Sequence, residues 1–202
     1  EDALECLLRG PKLGLDDAEF TSAAGTGRVH LYAGATGASS FSPALGGTPF
    51  SAAQALPAKS WYDDPANWNK YDVVMLSCEG AEYMNYKSPQ ALANLEGFLD
   101  KGGRVLATHY HSGWLKNAQT PQMIQNVATF GLTSGPDPVT DLIDPAANTG
   151  SLLASWLSQE AVMGSPAAGQ LLVKHPGYTI AGINSALAQR WISSSTTKTW
   201  SR

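Results

Sequence analysis

A chain of 202 residues and 21.3 kDa has the length of one domain with a real interior. Hydrophobic residues at 43% exclude intrinsic disorder and a coiled coil, and Lys+Arg 13 against Asp+Glu 17, net −4, excludes a module that neutralises nucleic-acid phosphates. Only 15% of residues are charged, so Ser, Thr, Asn, Gln and Gly fill the surface, a composition that points to a secreted or cell-envelope protein.

The first element is a helix with Asp2 as N-cap and Ala3, Leu4, Cys6, Leu7 and Leu8 on its apolar face, ended by Gly10-Pro11. Leu15–Thr21 reads as a short strand and Arg28–Tyr32 as another, with a Gly-rich turn between them. Residues 33–60 are mostly Gly, Ala, Ser and Pro and read as a long loop within 33–70, whose last part, in the compact aromatic-polar stretch Trp61–Tyr71, allows one helical turn. The strongest strand is Tyr71–Cys78, whose Val73-Val74-Met75-Leu76 run predicts a parallel strand covered on both faces. Ser88-Pro89 opens a helix with Leu92, Leu95, Phe98 and Leu99 inward; Gly102-Gly103 stops it and Arg104–His109 is the next strand. Strand, helix, Gly-Gly, strand is a βαβ unit, hence a right-handed crossover and a parallel sheet. Further on, Pro121–Phe130 predicts a helix, Thr133–Pro145 a loop, and Asn148–Gln159 a helix with Leu152, Leu153, Trp156 and Leu157 on one side. Gln170–Val173 and Tyr178–Ile183 predict strands around a His175-Pro176-Gly177 turn, Gln189–Ser193 a last strand, and 193–202 a Ser/Thr-rich tail.

No apolar run reaches the roughly 18–20 residues of a membrane span, and no signal peptide opens the sequence. Cys6 and Cys78 are either one bridge closing a long loop or two thiols.

Ligands of open parallel sheets bind at the carboxyl ends of the strands. Here those ends carry Ser77-Cys78-Glu79-Gly80 and Thr108-His109-Tyr110-His111. On adjacent strands, Glu79 and His109 form a carboxylate–imidazole pair able to act as general acid and base, and they are the candidate catalytic residues. Cys78, Tyr110, His111 and Trp114 flank them as candidate binding residues. Two other chemistries use the same residues. His109 and His111 form an H-x-H that, on a continuing strand, shares a divalent metal with Glu79; no resident metal or other cofactor is predicted. Cys78 is a nucleophile only with a base such as His109, and no G-x-S/C-x-G elbow surrounds it. His30 reads as a packed or hydrogen-bonded strand histidine and His175 as a turn residue. Trp61, Tyr62, Trp68 and Tyr71 either stack on a sugar or, more simply, cover the sheet edge.

The span Tyr71–Trp114, YDVVMLSCEGAEY through GGRVLATHYHSGW, resembles the class I glutamine-amidotransferase-like superfamily, in particular its trehalose-utilisation (ThuA-like) branch. With its DALECLLR, GRVHLY, LSCEG and GGRVLATH segments the chain is also similar to a group of exported bacterial proteins without an assigned activity. The resemblance implies one α/β domain over 1–202, a flavodoxin-like three-layer α/β/α fold with a mainly parallel sheet lacking its first strand, since the sequence opens on a helix. That leaves a sheet edge open to a partner segment or to self-association. The resemblance also puts Thr108-His109-Tyr110 where amidotransferases carry their nucleophile elbow. His109 replaces Cys there, so glutamine hydrolysis is not implied, whereas a small polar or sugar-like ligand is. The expectation is therefore a hydrolase-like α/β domain, and its rival a non-catalytic binding or assembly module of the cell envelope.

Overall fold

The computed structural model describes residues 4–10, 13–21, 23–32, 34, 61–116, 125–134, 138–147, 149–159, 169–173 and 177–194. Helices and strands mix along the chain, an α/β composition, and they gather in two compact units, 1–125 and 126–202. Most of the expected 33–60 loop, the His175-Pro176 turn and residues 195–202 of the tail lie outside the described residues.

In the first unit, helix Leu4–Arg9 precedes a 3-10 turn, Asp17–Glu19, and two short parallel strands, β1 (Phe20–Thr21) and β2 (Val29–His30). The turn between β1 and β2 is closed by Arg28, whose guanidinium donates to both carboxylate oxygens of Glu19 at 2.9 and 2.6 Å. Short helix Pro65–Trp68 has Asp64 as N-cap and Pro at its first turn. Strand β3 (Val73–Leu76) pairs in parallel with β4 (Arg104–Ala107), Val74 opposite Val105, and the helix Pro89–Asp100 crosses between them. Ser88 caps that helix by accepting the Ala91 N–H at 3.0 Å. Gly102, at φ +88, ends it in the left-handed conformation that an L side chain resists, while Gly103 N–H donates to Phe98 O at 3.0 Å. The βαβ unit is thus as predicted.

Two details of that unit are corrected. Leu99 lies on the outer side at 36% exposed, whereas the polar Asn94 is buried, its amide donating to Tyr62 O at 2.9 Å. Strand β3 is covered on one face rather than two: Val74 and Leu76 are core, but Val73 is 48% exposed, and Leu106 of β4, opposite Met75, is 45% exposed. The core on the covered face joins Trp61, Tyr62, Trp68, Leu92, Leu95, Phe98 and Trp114. Trp61, Tyr62 and Trp68 are therefore buried packing residues, not a sugar-stacking surface. Burial raises the Tyr62 phenol well above its ordinary range.

The second unit holds strands β5 (Ala128–Ser134), β6 (Val139–Ile143), β7 (Gln170–Val173), β8 (Gly177–Ile183) and β9 (Ile192–Ser194), with helix Gly150–Gln159. Among the described residues its pairings are antiparallel: β5 with β8, and β6 between β7 and β9. The parallel expectation thus fits the first unit and not the second. Of the helix predicted over 121–130, residues 121–124 lie outside the described residues and the end is a strand, β5 beginning at Ala128; the predicted loop 133–145 contains β6. In β6 the period is two: Val139, Asp141 and Ile143 are buried on one side, and the acidic middle member hides the pattern in the sequence. The last predicted strand finds its neighbour in β6, with Ile192 opposite Ile143. In helix Gly150–Gln159, Leu152 and Trp156 are exposed, against the expected inward stripe. Among the described residues no helix is long and apolar enough to cross a membrane.

Candidate functional site

The ends of β3 and β4 lie side by side because Thr108 N–H donates to Leu76 O at 3.1 Å, extending the ladder by one step. At that point the second chain turns sharply. Thr108 is still extended, but His109 sits at φ +39, in the left-handed region, and opens a 3-10 turn, His109–Ser112, that runs into helix Gly113–Lys116. A non-glycine residue held there costs of order 1–3 kcal/mol and persists only where its surroundings over-determine it. The strand–turn–helix elbow absent around Cys78 therefore exists around His109.

His109 is exposed, and its Nδ1 lies 3.3 Å from Cys78 Sγ. Cys78 is a free thiol, only 7% exposed, and its sulfur also accepts the Gly80 N–H at 3.4 Å. The Cys6–Cys78 bridge left open by the sequence is thus not formed. Among the described residues the hydrogen-bond partner of the His109 ring is Cys78, not Glu79.

Glu79 is instead committed to a buried ion pair. Lys87 Nζ donates to Glu79 Oε2 at 3.2 Å and to Glu82 O at 2.6 Å, and stands 5.5 Å from the Trp114 ring centroid. Burial pushes the Lys87 ammonium below its ordinary range, against the opposing pull of Glu79 and Glu82. Gly34 packs so closely on this carboxylate that a Cβ there would stand 2.5 Å from Glu79 Oε1, which only glycine avoids. Lys116 pairs with Glu82 and holds the 79–87 loop to the helix after His109.

His111 is buried. Trp114 Nε1–H donates to its Nδ1 at 3.0 Å, so its own proton is on Nε2, which donates to Ser77 O at 2.7 Å and lies 3.8 Å from Glu79 Oε2. Both ring nitrogens are in use. The H-x-H metal reading fails on this geometry: β4 ends at Ala107, His109 bonds Cys78 while both His111 nitrogens are taken by Ser77 O and Trp114, and no group of three His, Cys, Asp or Glu able to hold a metal exists among the described residues. Trp114 is core, and Tyr110 is half-buried with its ring centroid 4.0 Å from that of His109.

Sequence reasoning missed Lys87. A lone lysine before Ser-Pro carries no periodic or motif signal; only the folded loop shows it buried on Glu79. His30 is hydrogen-bonded in its strand, one of the two readings of the sequence: its Nδ1 meets the Tyr71 hydroxyl at 2.7 Å, and that hydroxyl meets Tyr32 OH at 2.7 Å. A cleft of about 380 Å³ opens at the opposite end of the strands, lined by Asn69, Tyr71, Asp72, Lys101 and Arg104 among others, but it contains no nucleophile–base pair and is not the candidate site.

Comparison with protein-family models, curated proteins and solved structures finds no match for this chain.

Proposed function

We propose that the chain is hydrolase-like, with a flavodoxin-like βαβ arrangement in residues 1–125, and acts on a small polar substrate at the ends of β3 and β4. The amidotransferase-like resemblance and the βαβ unit support the architecture; the charge-poor composition supports a secreted or envelope location. One observation carries the site: an exposed imidazole, His109, held in a strained backbone conformation at a strand-to-helix turn, 3.3 Å from a thiol. Strain of this kind clusters where geometry serves chemistry. His109 supplies the general base, and Glu79, locked by Lys87, braces the loop instead of sharing the proton.

The test is hydrolysis of a panel of small chromogenic esters, amides and glycosides by the wild type and His109→Gln. General-base loss should lower turnover by about 100-fold or more. No hydrolysis of any substrate, or equal rates in the two proteins, overturns the reading.

The rival reading, a binding or assembly module, draws on the exposed apolar pair Val73 and Leu106 on the open face of β3–β4. Sedimentation of the wild type beside Val73→Lys separates the two: self-association lost in the variant favours assembly.

A further inference from the structure

Every apolar-strand cysteine invites the same first explanation, a small core side chain. Cys78 fits it by position, since it follows Val74 and Leu76 at the strand's period of two and is buried with them. It departs from it in chemistry. A packing thiol has apolar neighbours, whereas this sulfur touches an imidazole nitrogen at 3.3 Å and a backbone N–H at 3.4 Å. The imidazole comes from 31 residues away and is held at the contact by an unfavourable φ. Both sides of the pair are braced. Lys87 and Glu79 fix the loop leaving Cys78, and His111, through Ser77 O, fixes the turn that carries His109.

We infer that Cys78 is a catalytic nucleophile and that the substrate is a small acyl compound, an ester or thioester. This rests on the strand-end hydrolase reading and deepens it. The thiol proton passes to His109 Nδ1 as the sulfur attacks the acyl carbon, and a C–S bond forms. The C–O or C–S bond to the leaving group breaks, and the leaving group takes the proton from His109. Water then attacks the thioester, giving its proton to His109. The acyl–sulfur bond breaks, and the sulfur recovers the proton. The sum is acyl compound plus water to acid plus alcohol or thiol.

The same geometry argues against a glycoside. Glycosidic cleavage ordinarily uses two carboxyl groups flanking one bond. Here Glu79 is spent on Lys87, and the groups beside it at the strand ends are a thiol and an imidazole. These partners suit acyl transfer, where a thiol adds to a carbonyl and an imidazole moves one proton.

The experiment uses the full chain and p-nitrophenyl acetate, with nitrophenolate release and intact mass followed together after rapid quench. The expected result is a burst, an acetyl adduct located on Cys78, and its decay as acetate appears. Cys6 in the same chain is the reference, and Cys78 should acetylate at least about 10-fold faster than it. Cys78→Ala should abolish the adduct and the burst, and His109→Gln should slow acetylation by about 100-fold. Steady hydrolysis undiminished in Cys78→Ala, with no adduct, overturns the nucleophile and leaves the hydrolase reading standing. A Cys78 adduct that never turns over keeps the nucleophile and sinks the hydrolase reading. Acetylation no faster than at Cys6 overturns the inference outright. Should Cys78→Ala lose its fold by circular dichroism, the wild-type to His109→Gln ratio of iodoacetamide alkylation at Cys78 decides, a ratio near one overturning it.

Discussion

Lys87 shows how a single side chain can organise a site without belonging to its chemistry. Its ammonium is enclosed, joined to Glu79 at 3.2 Å and Glu82 O at 2.6 Å. Removing one member of a buried pair leaves an uncompensated charge and costs about 3–5 kcal/mol. Lys87→Met should therefore lower the urea midpoint strongly, while Glu79→Gln with Lys87→Met should recover part of the loss. A single variant as stable as wild type would show that Glu79 finds another partner. Lys87 is invisible in the sequence, whereas His109 already stands there as the candidate base for Cys78. Glu79 and His109 were legible as strand-end residues because β3 and β4 announce themselves. Which of them touch was not, because 3.3 Å between Cys78 and His109 depends on the φ of one residue.

Single elements were legible where local chemistry was explicit and illegible where tertiary pairing overrode it. Ser88-Pro89 and Gly102-Gly103 bracket a helix whose Ala91, Leu92, Leu95 and Phe98 are buried, and each signal acts within a few residues. Ser88→Ala removes the cap and the bond to Asp63, and should cost about 1–2 kcal/mol by chemical denaturation. By contrast β6 was missed because its buried register includes Asp141. The β1–β2 turn makes a pH-dependent case. Arg28, by side-chain and backbone hydrogen bonds, holds the Glu19 carboxyl down to about 2, from an ordinary 4.5. A depressed folded-state value means that the stabilisation is complete above 4.5 and is lost as pH falls from there toward about 2. Amide exchange at Arg28 should accelerate over that window relative to the intrinsic rate, and Glu19→Gln should be flat across it. Equal pH dependence in both proteins would dissociate the turn from this pair.

At the scale of the whole chain, the described residues gather into two compact units, 1–125 and 126–202, and the parallel character of the βαβ pattern in the first does not extend to the antiparallel second. The candidate site belongs wholly to the first. Cys78, His109, Lys87 and His111 lie there, and so does the core under them, from Trp61 to Trp114. Three of its tryptophans, Trp61, Trp68 and Trp114, are buried, whereas Trp156 and Trp191 of the second unit are exposed. A chain ending at Gln125 should therefore keep a blue-shifted tryptophan emission that iodide quenches poorly, together with the acetylation rate of Cys78. Loss of both signals would mean that the aromatic core under β3 and β4 is not sufficient to hold the thiol against the imidazole. Retained emission with a lost Cys78 rate would place the requirement at the elbow itself, since the core would be intact while the His109 turn had relaxed out of its strained conformation.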